Sequence, residues 1–142
     1  MLKMAIGVVV LLTQLSGPGG ELPQILHPEY KVAPAAAGKK ADLTVSFAVT
    51  KGFVINHTPP VSLKLTPVPG VTFDKMDFST PSPDPKSKDE YYVDLPTIKV
   101  SVTAAKAGKY EIPGKLRYFF CSKSDGFCSV QTLDVKIPVT VQ

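Results

Sequence analysis

Two alternating apolar runs near the end of the chain constrain its fold most strongly. In the first run Leu116, Tyr118 and Phe120 occupy every second position, and in the second an aliphatic residue stands at every second position from 133 to 141. A period of two is typical of a half-buried β-strand. The Ser-Asp-Gly sequence at 124–126 lies between the runs and supplies turn-forming residues. The pattern therefore predicts a β-hairpin that places one side of each strand in the core.

The chain's only two cysteines, Cys121 and Cys128, flank this predicted turn. A disulfide between them would close a short loop and stabilise the fold by roughly 2–3 kcal/mol in the chain-entropy treatment, less than a bridge between distant strands. The alternation of side chains along the strand places Cys121 on the face opposite the predicted core. On that outward face the thiolate of a partner could attack it. From the residues alone the pair is a structural staple, a redox-active pair or part of a metal site.

The metal alternative requires more ligands than the loop between the cysteines supplies. Two thiolates together with His57 or Met76 would suit a soft ion such as Cu(I). His57 precedes a Thr-Pro-Pro sequence, which is typical of a loop. No second histidine or carboxylate accompanies it at the spacing of metal ligands, so a structural role in the loop is favoured. We therefore predict no metal and no cofactor. The sequence also lacks the Gly-x-Ser-x-Gly and His-Glu-x-x-His motifs of hydrolases.

The spacing of apolar runs along the chain predicts an all-β sandwich. About seven to eight short strands recur roughly every ten residues, and no segment shows a helical period. The clearest early strand covers 42–50, and Pro28 confines the preceding one, at 25–32, to a sheet edge or a break. A short piece at 110–112 is set apart from the hairpin by Gly114. The absence of tryptophan and the location of both cysteines in one hairpin argue against an antibody-type domain.

The first nineteen residues are predicted to be a signal peptide, and residues 20–142 a single domain. Lys3 precedes an apolar run at 5–12, which is too short to span a membrane, and small residues follow at 17–20. Export would place the cysteines in an oxidising compartment, periplasmic or extracellular. The net charge is +4, and the sixteen lysine and arginine residues are spread along the chain without a cluster. We therefore expect no nucleic-acid partner, and no membrane contact beyond the signal peptide.

Three segments of the sequence carry a family resemblance. They are Gly52-Phe-Val-Ile-Asn-His-Thr-Pro-Pro60, Asp89-Glu-Tyr-Tyr-Val93, and Tyr118-Phe-Phe-Cys121 through Cys128 with the Val-Lys-Ile-Pro-Val sequence that follows at 135–139. In order and spacing they resemble the N-terminal periplasmic domain of the bacterial thiol:disulfide interchange protein DsbD. The similarity covers about residues 30–142.

The resemblance implies an immunoglobulin-like sandwich with Cys121 and Cys128 as its catalytic pair. It also implies that the domain receives electrons from thioredoxin-like redox proteins and passes them to oxidised periplasmic proteins, with Cys128 as the attacking cysteine. Tyr91, Tyr92 and Phe127 are the candidate partner-binding or capping residues.

Three features depart from the family's pattern. Six residues separate the cysteines, the proline often found after the second cysteine is absent, and 81–88 contains no aromatic residue. We expect the segment at 81–92 to pack over the hairpin tip, with Tyr91 or Tyr92 in place of the family's shielding aromatics. The alternative function is a non-enzymatic secreted interaction module with a structural disulfide, and whether the chain is an enzyme stays open between the two.

Overall fold

The computed structural model describes residues 23–81 and 89–142, and every regular element in them is a β-strand. The nine strands are β1 (Leu26–Val32), β2 (Lys40–Val49), β3 (Phe53–Ile55), β4 (Ser62–Leu65), β5 (Val71–Phe73), β6 (Asp77–Ser79), β7 (Ile98–Ala104), β8 (Gly108–Ser122) and β9 (Cys128–Val141). No helix in these residues is long and apolar enough to cross a membrane. The predicted signal peptide at 1–19 lies outside the described residues.

The strands form two antiparallel sheets that pack face to face, so the predicted all-β sandwich is confirmed. One sheet has the order β1-β2-β7-β5. The other is built on β8, with β9 along one side, β3 and β4 along the other, and β6 beyond β4. Strand β1 is an edge strand, as Pro28 requires. Strand β6 was not predicted, because it is short and has only one apolar residue.

Strand β8 is continuous, so the predicted break at Gly114 is wrong. Gly114 is buried, and a Cβ atom there would lie 3.2 Å from the backbone oxygen of Lys64. The side chains of Leu65 and Val135 would each lie 3.3 Å from it. The glycine therefore allows β4 and β9 to approach β8 closely from both sides, and it does not end the strand.

The predicted core face of the hairpin is confirmed. Leu116, Tyr118 and Phe120 are at most 1% exposed, and the alternate residues of β9 are buried from position 135 onward. Leu133, also predicted to lie in the core, is only partly buried. The interdigitated faces of the two sheets thus form one apolar core.

The Tyr118 hydroxyl connects the two sheets inside this core. It accepts hydrogen bonds from the backbone N–H groups of Ile25 (3.2 Å) and Leu26 (3.0 Å), where β1 begins, and it donates one to the side-chain oxygen of Gln131. Gln131 lies directly opposite Tyr118 on β9, and its amide nitrogen donates to the Pro23 carbonyl (3.3 Å). Burial raises the pKa of Tyr118, so the phenol remains a neutral donor at physiological pH.

We predict that Tyr118→Phe lowers the free energy of unfolding by about 1–3 kcal/mol, because it removes the acceptor of the buried Leu26 N–H and leaves the Ile25 N–H only its bond to Gln131 Oε1. Urea denaturation followed by circular dichroism measures the change. The matched control is Tyr110→Phe on the same strand, whose exposed hydroxyl donates one 2.7 Å bond to the Lys106 carbonyl. Equal losses in the two variants would show that Tyr118 does not link the sheets as described.

Candidate functional site

The two cysteines lie directly opposite each other at the tip of the β8–β9 hairpin and form a disulfide. The Ser122 N–H donates to the Phe127 carbonyl at 2.7 Å, so the next pair inward, Cys121 and Cys128, occupies a non-hydrogen-bonded position. Side chains at such positions are closest, and the two Cα atoms are 4.0 Å apart. The hairpin predicted from the sequence is therefore present, with its cysteines paired across the ladder.

The turn beyond the disulfide is held by its own hydrogen bonds. Asp125 Oδ1 accepts from the Phe127 N–H (3.1 Å), and the Gly126 N–H donates to the Ser122 carbonyl (3.0 Å). Gly126 has a φ of 71°, a left-handed conformation that glycine adopts without strain. The bonds from Phe127 and Ser122 lower the pKa of Asp125 and keep its carboxylate ionised at neutral pH. Backbone and side-chain bonds thus hold the tip in addition to the disulfide.

The two sulfur atoms differ in their surroundings. Cys128 is exposed, whereas Cys121 is partly buried on the outward face predicted from strand parity. The side-chain oxygen of Asn56 lies 3.4 Å from Cys121 Sγ, and the Gly126 carbonyl oxygen lies 3.5 Å from Cys128 Sγ. An incoming thiolate therefore has more open access to Cys128 than to Cys121.

The same neighbours affect the reduced cysteines. Oxygen atoms beside both sulfurs would accept hydrogen bonds from thiols and so favour the protonated form. The Asn56 amide can rotate by a half-turn and present its N–H groups to a Cys121 thiolate instead. Lys123 and Glu90 both line the depression around the cysteines, so the positive charge that favours a thiolate is opposed by a negative one.

Two shallow depressions adjoin Cys128. The first, about 370 Å³ in volume, is lined by Val54, Asn56, Glu90, Tyr91, Cys121, Lys123, Gly126 and Cys128. The second, about 340 Å³, is lined by Asn56, Phe119, Cys128, Ser129 and Val130. Both include Asn56 and Cys128. The exposed sulfur therefore lies between two concave surfaces that could receive side chains of a bound protein.

The structure brings two of the three predicted capping residues to the cysteine site. Tyr91 is 40% exposed, lines the first depression and pairs with Asn56 through a backbone bridge. Phe127 is 49% exposed in the turn.

Tyr92, in contrast, is 8% exposed and belongs to the core. Its hydroxyl bonds to the Thr80 hydroxyl (2.7 Å) and the Pro81 carbonyl (3.0 Å), and its ring packs edge-on against His57. These contacts tie the segment after position 88 to the chain before position 82. Residues 82–88 of the predicted cap lie outside the described residues.

Asn56 and Val130 belong to the site but were not singled out from the sequence. Strand β3 pairs with the end of β8, and the Asn56 N–H donates to the Phe119 carbonyl at 2.9 Å, which carries the Asn56 side chain to Cys121. The available signal was the position of Asn56 inside the first segment of the family resemblance. Val130 lies before the alternation that begins at 133, so its place in β9 was not evident.

Neither of the additional metal ligands considered from the sequence lines the depressions at the cysteines. His57 bonds through its ring nitrogens to the Thr58 hydroxyl and the Asp89 carbonyl, and Met76 packs against the core. Within 23–81 and 89–142 there is no group of three histidine, cysteine or acidic side chains placed to hold a metal ion.

No protein-family model matches this chain, and no curated protein matches it either. The likeness to the DsbD domain therefore rests on the three sequence segments.

We predict that the sandwich persists without the disulfide. Replacing both Cys121 and Cys128 by serine should lower the free energy of unfolding by about 2–3 kcal/mol. The β-sheet signal in circular dichroism should remain, because the β8–β9 pairing extends from the tip to Gly108 and Val141. Reduced and alkylated wild-type protein is the matched control, since it also lacks the bridge. Loss of the β-sheet signal in both would show that the fold requires the disulfide.

Proposed function

We propose that this chain is a thiol:disulfide exchange domain that passes reducing equivalents to partner proteins through the Cys121–Cys128 pair. The observation that supports this function best is the position of the disulfide. It lies at the exposed tip of a hairpin that its own hydrogen bonds already shape, with Cys128 open between two depressions. Exposed disulfides are typical of labile, regulatory or catalytic pairs.

In the proposed reaction the reduced domain is oxidised as its partner is reduced. The Cys128 thiolate attacks one sulfur of the partner's disulfide, the partner's S–S bond breaks, and its other sulfur leaves as a thiolate. The Cys121 thiolate then attacks Cys128 Sγ and releases the partner's first sulfur as a second thiolate. Two electrons have moved to the partner, the protons of the two thiols reach its thiolates through solvent, and the Cys121–Cys128 bond has formed.

The exposure of Cys128 supports its assignment as the attacking cysteine, a role that the resemblance also gives it. The partly buried Cys121, beside Asn56, suits the resolving role, because that thiolate needs to reach only Cys128. Thioredoxin-like proteins would regenerate the dithiol by the reverse sequence, with a thiolate of the donor attacking the accessible Cys128 sulfur.

The proposal includes a family and a location. The three matching segments suggest a relative of the N-terminal domain of DsbD with its immunoglobulin-like sandwich, and the predicted signal peptide suggests the periplasm or the extracellular space. A disulfide is compatible with either oxidising environment. The six-residue spacing of the cysteines and Ser129-Val130 in place of the family's proline distinguish this chain from the usual pattern.

A second candidate function is a non-enzymatic interaction module with a structural disulfide. The stabilisation that the bridge supplies favours it, because closing the loop between Cys121 and Cys128 contributes roughly 2–3 kcal/mol without any exchange. In that case the bridge would pin the hairpin tip, and the depressions beside it would bind a partner without exchange.

The redox equilibrium of Cys121 and Cys128 against a glutathione series separates the two functions. We expect a midpoint above about −270 mV, in the range of thioredoxin-like couples, measured by alkylation and mass spectrometry. A midpoint well below about −300 mV, typical of structural bridges, would reject the exchange function.

Single-cysteine variants test the assignment of roles. The probe is a thioredoxin-like protein that keeps only its attacking cysteine, activated as the mixed disulfide with thionitrobenzoate, which leaves as a thiolate. Cys121→Ser should form the mixed disulfide with it faster than Cys128→Ser does, because Cys128 is the more exposed residue. Non-reducing electrophoresis measures the adduct, and the double serine variant is the control. Faster adduct formation by Cys128→Ser would assign the attack to Cys121.

A further inference from the structure

The outer edge of β9 presents unpaired backbone groups beside the disulfide. Because the Ser122 N–H bonds to the Phe127 carbonyl and ladder bonds alternate, Cys128, Val130 and Thr132 direct their N–H and C=O groups away from β8. Within 23–81 and 89–142, no strand pairs with this edge between positions 128 and 138. Among the residues that the structure describes, these groups therefore have no backbone partner.

The far end of the same edge already binds extended backbone. The Gln142 N–H donates to the Ala35 carbonyl (2.9 Å), and the Ala37 N–H donates to the Gln142 carbonyl (3.1 Å). Ala35 also forms a parallel bridge with Val141. The outward-facing groups of β9 are thus aligned well enough to pair with a strand-like segment.

Charge divides the remaining edge into two parts. Asp134, Lys136 and Pro138 occupy outward-facing positions farther from the tip, and charges and prolines of this kind prevent edge pairing. Residues 127–133 carry no charge, and Phe127 and Val130 are 49% and 40% exposed. The edge is therefore protected except next to the exposed cysteine.

We infer that residues 128–132, here called the open edge, bind an extended and uncharged segment of the disulfide-bearing partner by strand addition. This inference rests on the proposed exchange function. A residue paired with Cys128 across the edge would occupy a hydrogen-bonded position with its Cα about 5.5 Å away, within the range of disulfides. Neighbouring side chains of the added strand could enter the depression formed by Phe119 and Val130.

The test compares a strand-forming disulfide with a small one. The probe is a short peptide of alternating valine and threonine with a central cysteine, activated as its mixed disulfide with thionitrobenzoate. The Cys128 thiolate of the reduced full chain attacks the peptide sulfur, the sulfur–sulfur bond breaks, and thionitrobenzoate leaves as a coloured thiolate. Cys121 then attacks Cys128 Sγ and releases the peptide thiol. The small reagent is the symmetric disulfide of thionitrobenzoate.

We expect methylation of two alternate backbone nitrogens of the peptide to slow the reaction about thirtyfold, because each lost backbone hydrogen bond contributes about 1 kcal/mol. The wild-type protein suffices for this comparison. The small reagent has no backbone, so its rate sets the intrinsic reactivity of the pair.

The protein variant that tests the open edge is Val130→Pro, which removes one outward-facing N–H. Pro138 already occupies an outward-facing position of β9, so proline is compatible with the ladder at such sites. We expect Val130→Pro to lower the ratio of the peptide rate to the small-reagent rate about fivefold, because one backbone hydrogen bond of about 1 kcal/mol is lost. The first control is Lys136→Pro, on the charged part of the edge, which should keep the wild-type ratio of the two rates. The second is Val130→Thr, which changes the side chain but keeps the N–H, and its ratio should exceed that of Val130→Pro.

Three other outcomes would contradict the inference, and they can be told apart. If the small reagent reacts but neither methylation nor Val130→Pro changes the peptide rate, the open edge is not used and the exchange function stands. If neither reagent reacts, the exchange function and this inference both fail. If the full chain sediments as a dimer that Val130→Pro converts to a monomer, a second copy of the chain occupies the edge instead. Should Val130→Pro unfold, the methylated peptide decides the question on the wild-type protein.

Discussion

The hydrogen bonds of the buried Tyr118 hydroxyl fix how the two sheets meet, and the rest of the structure depends on them. This chain has only two cysteines and both lie in one hairpin, so no disulfide joins the sheets. The phenol instead anchors the start of β1 on β8 through the N–H groups of Ile25 and Leu26. Because the sheets are held there by buried polar contacts and by the core, we expect the sandwich to close without the cysteine pair.

The period of two along β8 determines which of its side chains face the core and which face outward. Tyr118 points into the core, so Phe119 and Cys121 point outward, and a slip of one residue would reverse both assignments. The same strand pairs with β3 beyond the end of β4, which brings Asn56 to the outward-facing sulfur of Cys121. The burial of one tyrosine thus determines which surface displays the cysteines.

The sequence predicted the strands whose alternation is long, together with the hairpin and its flanking cysteines. It misjudged Gly114, because a glycine is a local break signal whereas the close approach of β4 and β9 is a tertiary constraint. It missed β6, whose single apolar residue, Phe78, is positioned by pairing with Leu63. The contribution of Asn56 was hidden for a related reason, since it depends on pairing between residues about 65 positions apart in the chain. Alternation within a segment is enough to identify a strand, but the pairing of distant strands decides which side chains meet at the cysteine site.

The asymmetry between the two sulfurs is the strongest physical link from this fold to exchange chemistry. A staple functions equally well whichever sulfur is exposed, whereas exchange needs one sulfur that a partner reaches and one that resolves the mixed disulfide. Cys128 is exposed and begins the part of β9 whose outer edge pairs with no strand among the described residues. Cys121 lies inside the sheet, between β9 and β3, with Asn56 against its sulfur. The position of one cysteine on an edge strand and the other on a central strand produces this difference, so the asymmetry follows directly from the sheet order.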